Sequence, residues 1–188
     1  METSQLYVFA PLLDAPGNEG GRLQSQPVVC GRIDWAAGTG SFRYAPDWLE
    51  SRLSYPLDPA NLPLTDKPSH HQVNKGVPGV LADTGPDTWG ARLIERHRGV
   101  LESPLERLRL TNGTGTGCLL YSSHRQRPNP PRSVLTRLSL SELEDAAQKF
   151  DAGQSLDDEK LQELMAAGSG LGGARPKALV EEGGREYL

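Results

Sequence analysis

The sequence predicts an α+β fold, with a small β-rich N-terminal subdomain followed by short helices. Three observations carry this. Short runs rich in β-branched and aromatic residues come early: LYVF, VVCGRI and SFRY. Two acidic, amphipathic segments come late, each opened by Ser or Asp at a cap position. The chain of 188 residues carries 21 glycines and 15 prolines, so its loops are long and its helices short.

Residues 6–9 (LYVF) read as the first strand, and residues 14–23 as a Gly/Pro/Asn loop. Residues 28–33 form a second strand, residues 38–40 a turn, and residues 41–44 a third strand. A short helix covers residues 47–53, with Trp48, Leu49 and Leu53 on one side. Residues 57–78 contain several prolines and little periodicity, and read as an ordered but irregular crossing. A helix follows over residues 88–97, with Pro86 near its start and Gly99 after its end. Trp89, Leu93 and Ile94 share its buried face, and Asp87 is placed to cap it. Residues 105–110 form a short helix behind Ser103-Pro104, and residues 117–121 a strand. The proline-rich HRQRPNPPR, residues 124–132, is the best boundary candidate. Helices over residues 139–150 and 157–167 come next, and a hairpin over residues 178–180 and 185–188 closes the chain.

The net charge of −4 argues against a general nucleic-acid binder. Cys30 and Cys118 make neither a CxxC pair nor a disulfide framework, which favours a reduced interior. The N-terminus has no signal-peptide pattern, and no run approaches the ~20 apolar residues of a membrane span. These features predict a soluble, bacterial, cytoplasmic protein with no membrane partner.

The stretch GSGLGGARPKALV, residues 168–180, concentrates the chemical interest, with four glycines in its first six residues. Gly170, Gly172 and Gly173 can take positive φ, so successive backbone N–H groups can face one way and hold an anion. Arg175 or Lys177 adds positive charge beside them. A Walker loop is excluded, because Lys177 is followed by Ala178 and a strand rather than by Ser or Thr and a helix. A dinucleotide fingerprint is excluded too, since no strand–GxGxxG–helix order exists. On glycine count alone, a phosphate cradle and a plain helix-to-strand turn stand about level.

GGARPKA, residues 172–178, with a Gly/Ser stretch before it and a hairpin after it, resembles the glycine-rich loop of the HipA family. These are bacterial Ser/Thr kinases that act as toxins of toxin–antitoxin pairs. GSFRYAPDWL (residues 40–49) resembles the family's early strand-then-helix segment. LADTGPDTWGARLIERH resembles its PD-x-WG helix, and GTGCLLY (residues 115–121) loosely resembles a strand that normally reads G-A-L-x-F.

The resemblance implies residues 1–123 as a HipA-like N-terminal subdomain, 124–138 as a connector, and 139–188 as the beginning of a protein-kinase-like N-lobe. It implies an ATP-binding loop made of Gly170, Leu171, Gly172, Gly173, Ala174, Arg175 and Lys177. Family members regulated by autophosphorylation carry a serine in this loop. Its usual place falls on Gly170 here, so the adjacent Ser169 is the candidate phosphosite, and absence of that control is the alternative. The catalytic and metal-binding aspartates of the family lie in a later lobe and match nothing here. The chain is therefore expected to be the front part of such a kinase, a cloned or proteolysed fragment inactive by itself. ATP and Mg²⁺ are the cofactors implied for the full-length protein, with none expected on this fragment. The implied partners are a DNA-binding, HipB-like antitoxin and a protein substrate such as an aminoacyl-tRNA synthetase. Operator DNA would be met only indirectly.

Other candidates read as structural. His70, His71, His97 and His124 have no metal spacing with any cysteine. The acids at Glu142, Glu144, Asp157 and Asp158 favour helix N-termini. Trp48 and Trp89 fit helix faces as core residues, and Arg125, Arg127 and Arg132 read as a solvated linker. The competing function is a non-catalytic interaction module, which binds an antitoxin or regulates a separate kinase.

Overall fold

Period-two apolar residues build an antiparallel sheet from the early runs. The computed structural model describes residues 4–13, 23–111, 117–129, 138–168, 180–182 and 185–187. Strands β1 (Ser4–Leu13), β2 (Leu23–Ala36) and β3 (Thr39–Tyr44) pair in sequence. Two three-residue strands, β4 (Ser69–His71) and β5 (Leu120–Ser122), flank them in the order β4-β3-β2-β1-β5. The fold is α+β, as expected: among the described residues this sheet is joined by six short helices.

The inward set is Leu6, Val8 and Ala10 on β1, Ile33 on β2, and Phe42 and Tyr44 on β3. A bulge resets the alternation on β2. Val8 opposes Gly31 and Phe9 opposes Val29, which leaves Cys30 unopposed. Its thiol is fully buried and donates to the Val8 carbonyl at 3.3 Å. Ala37 and Gly38 turn β2 into β3 with φ of 47° and 81°, the doubly positive pair that a two-residue hairpin requires.

Helix α1 (Pro46–Glu50) is shorter than the sequence suggested and buries Trp48, whose Nε1 donates to the Tyr55 carbonyl at 3.2 Å. Tyrosines then tie down the irregular crossing. Tyr44 Oη donates to the Leu62 carbonyl at 2.6 Å and accepts from the Leu57 amide at 2.8 Å. Tyr55 Oη donates to the Pro11 carbonyl at 3.0 Å. The crossing also contains β4, which the proline-rich pattern conceals. A 3-10 turn over Val73–Gly76 follows, then α2 (Gly79–Ala82). That turn lies tight on the sheet: a Cβ on Gly40 would overlap the Gly76 carbonyl oxygen, and one on Gly76 would fall 2.7 Å from Gly38 O.

Helices α3 (Thr88–Arg98) and α4 (Pro104–Leu110) begin with side-chain caps. Asp87 Oδ1 accepts from the Gly90 amide at 2.7 Å, and Ser103 Oγ from the Leu105 amide at 3.1 Å. Helix α4 contributes Leu105 and Leu108 to the sheet's core. Helix α3 turns elsewhere. Its Trp89, Leu93 and Ile94 form a second core with Leu143, Ala146 and Phe150 of α5 (Leu140–Asp151) and Leu161, Leu164 and Met165 of α6 (Asp158–Gly168). Ser139 and Glu142 make a reciprocal capping box at the start of α5. Strands β6 (Val180–Glu182) and β7 (Arg185–Tyr187) pair as a hairpin. Among the described residues, no helix is long and apolar enough to cross a membrane.

Two stability predictions follow from these contacts. Gly40→Ala forces backbone apart from backbone, with no flexible side chain to yield, and should cost about 3 kcal/mol. An unchanged urea midpoint would show that the two segments do not meet. The second concerns alkali. Burial raises the Cys30 thiol well above its usual value near 9, and burial likewise pushes Tyr44 up to about 12. Both groups are neutral when protonated and titrate later in the folded state than in the unfolded one. Their stabilisation is therefore complete below about pH 9 and is lost as the pH rises beyond it. Urea midpoints should begin to fall near pH 9 in the wild type, and only near pH 10 in Cys30→Ala, where the buried Tyr44, Tyr55 and Tyr121 carry what remains of the effect. Coincident onsets would refute the assignment to the thiol.

Candidate functional site

The residues singled out by the sequence for ATP binding lie outside the described residues: Ser169, Gly170, Leu171, Gly172, Gly173, Ala174, Arg175 and Lys177. Their flanks are described. Helix α6 runs up to Gly168, and β6 opens at Val180, pairing Val180 with Tyr187 and Glu182 with Arg185.

What holds α6 is the second core. Asp157 Oδ1 accepts from the Lys160 amide at 2.7 Å and so caps the helix, and Leu161, Leu164 and Met165 are buried. The Trp89 and Phe150 rings meet edge to face, 5.9 Å between centroids. Asp151 Oδ1 accepts from Trp89 Nε1 at 3.3 Å and from Arg92 Nη1 at 3.2 Å. The Arg92 guanidinium lies 5.1 Å from the Phe150 ring centroid, within cation–π range. Trp89 thus serves as the core residue its helix position implied, and the Asp87 cap is as the sequence suggested.

Two surface depressions carry polar side chains. One, of about 480 Å³, is bordered by Ser122, His124, Arg127, Pro128 and Asn129. Arg125 and Arg127 are exposed here, as a solvated linker implies, while a few hydrogen bonds tie the segment down. The Asn129 amide donates to the Tyr121 carbonyl at 3.1 Å, and Arg125 Nη2 to Asp47 Oδ2 at 3.3 Å. Arg132 is outside the described residues. The other depression, of about 240 Å³, lies between the Val73–Gly76 turn, the end of α2 and α4, and brings Lys75 and Arg107 to its border. Sequence reasoning passed over Asn74 and Lys75. The only trace of them was the tripeptide Asn-Lys-Gly, a turn pattern with no chemistry of its own.

Among the described residues, no group of three His, Cys, Asp or Glu side chains could hold a metal. His71 Nε2 hydrogen-bonds Ser69 Oγ at 2.9 Å, and burial together with His70 keeps its pKa below the usual histidine value. Cys118 is a free, exposed thiol.

With this geometry established, residues 23–122 match the family described as the HipA N-terminal domain. The chain belongs to the HipA family. No curated protein matches it. The matched segment runs from the start of β2 to the end of β5 and includes α3. A HipA-domain helix therefore spends its apolar face on α5 and α6, which follow the segment.

Phe150→Ala should remove the ring shared by Trp89 and Arg92 and cost about 3–5 kcal/mol. Hydrogen exchange should show protection lost in α3, α5 and α6 first, with the amides joining β1 and β2 less affected. Equal loss in both places would show one cooperative unit instead of two cores.

Proposed function

We propose that this chain is the front part of a HipA-like Ser/Thr protein kinase, the toxin of a bacterial toxin–antitoxin pair. The observation that carries this reading is GGARPKA standing in sequence between α6 and the β6–β7 hairpin in a chain of the HipA family. ATP with Mg²⁺ supplies the phosphoryl group. The chain's own contribution is to bind and orient it. Backbone N–H groups of Gly170, Gly172 and Gly173 would hold the phosphates, and Arg175 and Lys177 would add positive charge beside them. Leu171 and Ala174 complete the loop, and Ser169 is the site of regulatory phosphorylation. The protein substrate is of the aminoacyl-tRNA synthetase kind, the partner a DNA-binding antitoxin, and the compartment the cytoplasm.

Gly173→Val in the longer protein tests the loop. A β-branched residue obstructs the phosphate and penalises any left-handed backbone angle, at a cost of about 1–3 kcal/mol. The upper end corresponds to more than about a hundredfold in ATP affinity. Both cores are built from other residues, so the melting temperature without nucleotide should hold. ATP titration and melting beside the wild type read the two effects separately. Unchanged ATP binding would leave the glycines as a turn and remove the basis of this reading.

A further inference from the structure

Lys75 occupies a backbone conformation that suits it poorly. Asn74, Lys75 and Gly76 are consecutively left-handed, with φ of 52°, 58° and 86°. Asparagine and glycine tolerate this region, whereas a long side chain is disfavoured there. The conformation is imposed from outside. Trp35 Nε1 donates to the Lys75 carbonyl at 2.6 Å, the Val77 amide to the Asn74 carbonyl at 3.3 Å, and Gly76 is seated against Gly38 and Gly40. These constraints act on the main chain only. None needs a lysine, and glycine would satisfy them with less strain.

The side chain borders the depression of about 240 Å³ beside α2 and α4. Its walls are largely apolar, from Val77, Ala82, Pro86 and Leu108. Its charges are both positive, Lys75 and Arg107. Arg107 Nη2 pairs with Glu95, which leaves Nη1 and Nε without a partner among the described residues. Lys75 has none among them either. A bare inorganic anion would leave the apolar wall facing water, and a neutral apolar molecule would leave Lys75 without a counter-charge and the free Arg107 nitrogens without an acceptor. The combination suits a compact apolar body bearing one anionic group.

We propose that this cavity binds a small organic anion, with Lys75 and Arg107 holding its carboxylate or phosphate and the apolar wall holding its body. The site is separate from the glycine-rich loop and does not rest on kinase activity.

The test is an amide chemical-shift titration of the whole chain. Phenyl phosphate and benzoate serve as probes, inorganic phosphate as the charge alone, and benzyl alcohol as the body alone. The two organic anions should produce saturable shifts over residues 74–77, 82–86 and 104–108, and the two partial probes should bind about tenfold more weakly or worse. Lys75→Gln, which keeps the backbone cost and removes the charge, should weaken the organic anions about tenfold, and Lys75→Arg should retain them. Lys75→Gly should raise the melting temperature while losing the same affinity. Saturable shifts absent from those residues would overturn the proposal. So would equal affinity in the wild type, Lys75→Gln and Lys75→Gly.

Discussion

Gly76 and Gly40 bring two backbones together at a spacing that excludes a Cβ on either residue. Much of the N-terminal part depends on that approach. It seats the end of a long irregular crossing against the β2–β3 hairpin, next to where β4 pairs with β3. It also sets where Pro78 begins the short α2, and so where Leu81 enters the sheet's core. The approach is held at its far end by Trp35, whose indole reaches over to the Lys75 carbonyl. Non-local contacts of this kind must outweigh the entropy of ordering the segments they join. The tyrosines that bind Leu57, Leu62 and Pro11 share that cost along the crossing.

The second core explains how the part of the chain ahead of the glycines is organised. Helix α3 lies within the matched HipA domain but buries Trp89, Leu93 and Ile94 against α5 and α6. Leu138, the last residue of the connector, packs against the same core. The domain and α6 are therefore linked through packed side chains as well as along the main chain. Close-packed interiors deform little and transmit displacement. Under the kinase reading, α6 would place the start of the phosphate loop relative to α3, and Asp151 would register that placement by binding both Trp89 and Arg92.

The sequence was most legible where local chemistry decides the structure. Asp87, Ser103 and Ser139 cap helices as their positions suggested, because capping is settled within four residues. Trp48 and Trp89 are buried because helical period alone puts them on the apolar face. Legibility failed where partners are distant. The three-residue β4 exists through pairing with β3, and residues 57–78 showed only as an irregular crossing because their hydrogen bonds run to tyrosines outside any local pattern. The separate destinations of α3 and α4, one in each core, were hidden for the same reason. HipA membership was legible through serial motifs, none of which needed the distant contacts. The loop residues 169–177 lie outside the described residues, so their role rests on sequence and family.

Strained backbone by itself points to nothing in this protein, and the contrast between two residues shows why. Ala37 has φ of 47°, comparable to Lys75 at 58°. At Ala37 the hairpin explains the angle, and the exposed methyl group has no chemistry to offer. The misfit there is a small cost of a tight turn, which glycine or asparagine would reduce. At Lys75 the clamp from Trp35 and Gly40 explains the angle equally well, so strain does not separate the two positions. What separates them is the surroundings of the side chain. Ala37 borders neither of the two depressions, whereas Lys75 stands with Arg107 at the border of one whose remaining wall is mostly apolar. A residue that fits its backbone badly but fits a neighbouring cavity chemically is better explained by what the cavity holds than by the turn that carries it.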